Sequence, residues 1–228
     1  MSAAPEILAL PDAEALTDLV TFVGRARRVD PDGACRLVAS GLVLAAYVSP
    51  VHGGGGPTVL GLRVLALAAP ADLDATVSLA ALLDRVPRVH PDAGSAELRV
   101  PSVPSVPSVA SVPSVQAWAG VTPPRSGWNV VGLLDAAALR ASAADGVGEI
   151  AAGVPAGAGA QAVARLRGQV WGRPLTPDLP DVPVGTAFAA DALGFLDDAE
   201  PVALYRAGPW VRATTRRGHV VARRSSLL

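Results

Sequence analysis

Residues 202–224, VALYRAGPWVRATTRRGHVVARR, are the stretch from which the fold is read. Gly208-Pro209 and Arg217-Gly218 are turn dipeptides. They divide the stretch into three short runs, near 202–206, 210–215 and 219–223. A three-stranded β meander is predicted. Side chains alternate between the two faces of a strand. Trp210, Arg212 and Thr214 therefore share a face, as do His219, Val221 and Arg223 on the neighbouring strand. Tyr205 and Arg206 fall on opposite faces of the first strand.

The same stretch is polar in its charge. It holds six of the nineteen arginines and no acid, and the last carboxylate side chain is Glu200. Thirteen arginines against twenty acids leave residues 1–200 at −7, and the last stretch at +6, within a chain of net charge −1. All the basic residues are arginine. With abundant Ala, Gly, Pro, Val and Asp, this is read as coding bias in a GC-rich bacterial genome. The choice of arginine over lysine is then no evidence of bidentate recognition by itself.

Upstream of the meander the periodicity becomes helical. Residues 185–196 are expected as a helix anchored by Phe188, Leu193 and Phe195, and residues 158–172 as another, with Val163, Leu166, Val170 and Trp171 inward. Asp135 is placed to cap a longer helix from 136 to about 153. GWNVVGLL, residues 127–134, reads as a strand leading into it. Three helices followed by a β-hairpin match winged-helix order. However, residues 185–199 hold three acids and no base, which is the wrong charge for a helix entering a DNA groove.

PSVPSVPSVASVPSV, residues 101–115, carries proline at most third positions. Proline fixes φ and lacks an N–H, so the segment favours an extended polyproline II linker over a sheet interior. Before it, Asp12 caps a helix over 13–28, whose basic end suits a helix C-terminus. β-leaning runs follow at 36–40, 42–48, 58–68 and 76–79, with a short edge strand at 6–10. The expected fold is α+β: an N-terminal helix packed on a mostly antiparallel sheet, then a helical C-terminal lobe ending in the three-stranded meander. The expected division is 1–90 as the α+β lobe, 91–125 as a Pro-rich low-complexity linker, and 126–228 as the helical lobe with its basic end.

Much chemistry is excluded. Without lysine there is no Schiff-base enzyme and no Gly-Lys-Ser/Thr phosphate loop. One cysteine, Cys35, forms no internal disulfide, no CxxC pair and no multi-cysteine zinc site. His52, His90 and His219 lie in separate segments with no metal-ligand spacing. No catalytic residue, metal or cofactor is assigned. PVHGGGGP, residues 50–57, reads as a flexible hairpin loop: a phosphate cradle needs a following helix, and a strand follows here. The first residues lack a basic n-region, and no apolar run reaches the roughly 20 residues of a membrane span. A cytoplasmic protein with no membrane partner is expected.

The reading is of a non-catalytic binding protein. Its surface would be Tyr205, Arg206, Trp210, Arg212, Arg216, Arg217 and Arg223, and its partner a protein or a second copy of the chain. The first alternative is nucleic-acid binding through the same arginine–aromatic face. The second is an enzyme with a small-molecule site near His52 and Arg63, the one arginine in an otherwise apolar strand.

Overall fold

A computed structural model describes residues 7–85, 96–100, 114–154, 157 and 159–223. The chain forms an α+β structure built on antiparallel strand pairings. It divides into two compact units, residues 1–48 with 62–120, and residues 49–61 with 121–228.

In the first unit, β1 (Ile7–Leu10) pairs with β4 (Ala96–Arg99), Leu8 opposite Leu98. Helix α1 (Ala13–Val29) begins as expected: the Asp12 carboxylate accepts the Ala15 N–H at 2.7 Å. It buries Leu16, Leu19, Phe22, Val23 and Ala26 against β1, β4 and the short helix α2 (Leu79–Leu83). The helical spacing of Leu16, Leu19, Val20 and Val23 puts all four on one face, but Val20 is only half-buried and Phe22 joins the buried stripe instead.

Strands β2 (Ala34–Val51) and β3 (Thr58–Ser78) are longer than the sequence suggests. Gly41 lies between the runs expected at 36–40 and 42–48, and it adopts φ +57° as a local bend inside β2 without ending the strand. Pro70 likewise lies within β3, which joins the runs at 58–68 and 76–79. Arg36 of β2 grips Asp74 of β3 with two hydrogen bonds of 2.8 and 2.7 Å and donates to the Ala119 carbonyl at 2.6 Å. That carbonyl belongs to a 3-10 helix, Ser114–Gly120, which buries Trp118. Residues 96–99 and 114–120 thus carry structure within the stretch read as a linker. The repeat up to residue 113 lies outside the described residues.

The second unit contains β5 (Asn129–Leu134), α3 (Ala136–Gly153), α4 (Ala160–Gly172), α5 (Gly185–Ala192) and the meander β6 (Val202–Ala207), β7 (Trp210–Thr215) and β8 (Gly218–Arg223). The Asp135 carboxylate caps α3 by accepting the Ala138 N–H at 2.7 Å. Helix α5 ends at Ala192, shorter than the expected 185–196, and Gly194 follows at φ +69°. Strands hydrogen-bond in the order β2-β3-β8-β7-β6-β5. β2 and β3 run through both units, and the second holds their shared turn. One face of the meander buries Val202, Leu204, Val211, Ala213, Val220 and Ala222, with α5 against β8.

The glycine loop is more than a flexible hairpin. Gly53, Gly54 and Gly55 take φ of +72°, +62° and +74°, a run that only glycine adopts without strain. The loop also lies directly on α4. A Cβ on Gly54 would stand 2.5 Å from the Ala164 carbonyl oxygen, and one on Gly56 would stand 2.6 Å from Gly168 Cα. From the helix side, a Cβ on Gly168 would meet Gly54 O at 2.8 Å. Two backbones touch here with no side chain between them.

Gly168→Ala gains up to about 1 kcal/mol of helix propensity but drives a methyl into a fixed carbonyl. A net loss of roughly 1–3 kcal/mol is expected from overpacking. Gly148→Ala in α3 meets open space and is expected to be neutral or stabilising. Denaturant midpoints at unchanged slope measure both. Cys35 is fully buried, and burial pushes its thiol up to about 12. A chromogenic disulfide reagent at mildly alkaline pH is expected to leave the native chain unmodified and to titrate one thiol per chain after denaturation.

Candidate functional site

The outer face of the meander is built by register. Val130 of β5 pairs with Tyr205 of β6, Tyr205 with Arg212 of β7, and Arg212 with Val221 of β8. These four form one row across four strands. Leu133, Ala203, Thr214 and His219 form the next row, and Ala207, Trp210 and Arg223 the row on the other side. The alternation expected for Trp210, Arg212, Thr214, His219, Val221 and Arg223 is thus realised, and Tyr205 joins that face while Arg206 takes the other.

Exposure grades across the face. Val221 and Trp210 are buried at the β8 side, whereas Val130 and Leu133 on β5 are 73% and 68% exposed. β5 ends the strand order, so these two apolar side chains lie at a sheet edge. A register irregularity between Val130 and Gly132 turns out Val131 as well.

Arg212 is the centre of the face. Its guanidinium carbon sits 4.5 Å from the Trp128 ring centroid and 4.7 Å from that of Tyr205. Trp128 is held in turn by its indole N–H, which donates to the Pro124 carbonyl at 3.0 Å. Arg212 Nε is buried with no hydrogen-bond partner. Burial lowers the pKa of Arg212 from the usual arginine range, and Tyr205 opposes that shift. Arg223 repeats the contact more loosely, 5.7 Å from the Trp210 ring. Thr214 Oγ1 and His219 Nδ1 are 3.1 Å apart in the neighbouring row.

The other arginines of the meander meet acids of their own unit. Arg206 Nη2 is 3.0 Å from Asp181, Arg216 Nη1 is 3.0 Å from Glu200, and Arg217 Nη2 is 2.7 Å from Asp197. The charge asymmetry of the sequence is therefore closed, in these three pairs, within one compact unit. Arg140 of α3 adds ion pairs to Asp191 and Asp198.

His52 and Arg63 belong to different units. His52 Nδ1 lies 3.0 Å from the Ser49 carbonyl. Arg63 binds Asp18 of α1, Nε at 2.6 Å and Nη2 at 2.5 Å, which gives this lone strand arginine a structural partner. Among the described residues, no group of three His, Cys, Asp or Glu side chains is placed to hold a metal. No helix among them is long and apolar enough to cross a membrane.

Trp128, Val130 and Leu133 were not among the expected site residues. Their signal was the GWNVVGLL run, read only as a strand. Nothing in it announces that its tryptophan covers an arginine more than eighty residues away.

Residues 3–108 match the model of a domain of unknown function, DUF8010, and residues 123–227 that of a second, DUF8185. No curated protein matches the chain. Among solved structures it is similar to a DNA polymerase sliding clamp from Pseudomonas aeruginosa, with 16% sequence identity and a TM-score of 0.43. That alignment covers 96% of this chain and 64% of the clamp, so the chain spans less than two thirds of the clamp's length.

The Trp128–Arg212 contact predicts a measurable coupling. In a double-mutant cycle with Trp128→Ala and Arg212→Gln, the stability losses are expected to fall short of additivity by about 0.5–1 kcal/mol, the size of an accessible cation–π contact. Additive losses would show that the two side chains are merely neighbours.

Proposed function

We propose that the protein is a non-catalytic binding module that docks a protein partner, another chain or a second copy, on the outer face of β5, β6 and β7. The observation that carries this is the juxtaposition of exposed Val130 and Leu133 with an arginine held against Trp128 and Tyr205. Trp, Tyr and Arg dominate the energetic centres of protein interfaces. Apolar side chains exposed together at a sheet edge suit an added strand or a packed partner surface.

The expected binding residues divide by role. Tyr205, Trp210, Arg212 and Arg223 share the docking face. Arg206, Arg216 and Arg217 hold the meander through acids of the same unit. This division favours protein over nucleic acid. A nucleic-acid grip draws most of its strength from phosphate contacts, and three of the five described meander arginines already face carboxylates. The rings of Trp128 and Tyr205 also each give a face to Arg212 rather than to a base.

The test is selection of a random displayed-peptide library on the immobilised full chain. Clones enriched on wild type are expected to be lost on Val130→Asp and on Leu133→Asp. Both positions are exposed, and circular dichroism confirms that the variants fold. Clones that survive both changes, or no enrichment at all, sink the reading. In parallel, single-stranded and duplex oligonucleotides are titrated at two salt concentrations. Binding that weakens steeply with salt and survives both aspartate changes would move the function to nucleic acid.

A further inference from the structure

We infer that Arg212 is a carboxylate receptor: the partner presents an aspartate or glutamate side chain to its guanidinium, beside an apolar residue that covers Val130 or Leu133. The inference rests on the protein-binding reading and names the chemistry of the partner.

Arg212 differs from Arg206, Arg216 and Arg217 in its partners, although Arg206 Nε is likewise buried without one. Arg206, Arg216 and Arg217 each have an acid within 3.0 Å. Arg212 has two aromatic rings and, among the described residues, no acid and no hydrogen bond. Rings answer the charge of a guanidinium, but they do not accept its in-plane N–H donors in the way an oxygen does. Nε is buried without a partner, so the group is under-satisfied on its inner side. Arg212 as a whole is only half-buried. Its terminal nitrogens form the end of a planar fork, and the planar anion that matches a fork with two parallel hydrogen bonds is a carboxylate.

The rings also fix the position of the fork before any ligand arrives. An arginine held against Trp128 and Tyr205 loses less side-chain freedom on binding than a free one. Its neighbours on the face set what flanks the acid. Val130 lies in the same cross-strand row, one strand beyond Tyr205. Leu133 lies in the adjacent row, about 7 Å further along the strand direction. Val130 itself lies two strands from Arg212, roughly 10 Å at the usual strand spacing, which an extended segment crosses in about three residues. Charge complementarity thus selects an acidic–apolar protein segment as the occupant. A nucleic-acid phosphate would find Arg212 and Arg223 on the face, but the side chains of Val130 and Leu133 offer a base no hydrogen-bonding group.

The experiment uses peptides recovered from the display selection on the full-length chain. Each is synthesised in its acidic form and with Asp and Glu replaced by Asn and Gln. Affinities for wild type, Arg212→Gln and Arg212→Lys are read by fluorescence anisotropy. Enriched clones are expected to carry an acid beside an apolar residue. The amide form is expected to bind wild type roughly tenfold or more weakly, the size of a charged hydrogen-bond pair. On Arg212→Gln that difference should vanish, and on Arg212→Lys it should survive in part, as a point charge replaces a fork. Acid and amide forms binding wild type equally would overturn the inference. So would an acid preference that persists on Arg212→Gln. Acid-free apolar clones that are lost on Leu133→Asp but kept on Arg212→Gln would refute the carboxylate while leaving the protein-binding reading intact. Oligonucleotide binding abolished by Arg212→Gln, with no peptide enriched, would refute both.

Discussion

The contact between the glycine loop and α4 is the constraint on which the second unit depends. Gly54 and Gly56 meet Ala164 and Gly168 backbone to backbone, with no room for a methyl group. A chain with few aromatic residues has little side-chain volume with which to fill a wide core. Close packing of Ala, Val and Leu then requires the backbones themselves to come together. Glycine is the residue that permits it. The same rule seats one of the largest buried side chains. Trp171 stacks on Phe188 at 4.4 Å and fits notches at Gly146 and Gly185, where a Cβ would stand 2.3 Å and 3.2 Å from its atoms. Gly218 makes the matching notch for Phe195 at the start of β8.

With its inner face fixed by that packing, the meander can carry something different on its outer face. Val202, Leu204, Val211, Ala213, Val220 and Ala222 face the core of the unit. Their alternating partners, Tyr205, Arg212 and Thr214 among them, are thereby turned the other way. The arrangement is a consequence of the period-2 strand. It needs no special device beyond a register that the inner face already enforces. What makes the outer face distinctive is a residue from outside the meander: Trp128, anchored on Pro124, which closes over Arg212.

The meander was legible in the sequence because its information is local. Turn dipeptides and two-residue alternation decide three strands within twenty-three residues, and the alternation within each strand is the one observed. Caps were legible for the same reason: Asp12 and Asp135 act within three residues of themselves. What was not legible depends on contacts far along the chain. Gly41 and Pro70 look like strand breakers, yet β2 and β3 pass through them, because long pairing partners outweigh one residue's preference. The glycine loop reads as a free turn until α4 lies against it. Trp128 reads as a strand-entry residue until β7 brings Arg212 beneath its ring. The candidate site was therefore half visible. Its meander residues could be named from alternation, and its apolar edge could not.

The arginine–carboxylate pairs at Asp181, Asp197 and Glu200 bear on how the molecule behaves in solution. A chain carrying −7 over its first 200 residues and +6 at its end would, if extended, be a strong electric dipole. Folding sets three of those cations within 3.0 Å of anions from the preceding loops. The field of such a pair falls off much faster with distance than that of a lone charge. At physiological ionic strength the Debye length is about 8 Å, so little of it extends into the surrounding solvent. Long-range repulsion between copies is then weak. Colloidal behaviour, read as the osmotic second virial coefficient, falls to short-range contacts at apolar side chains such as those on β5.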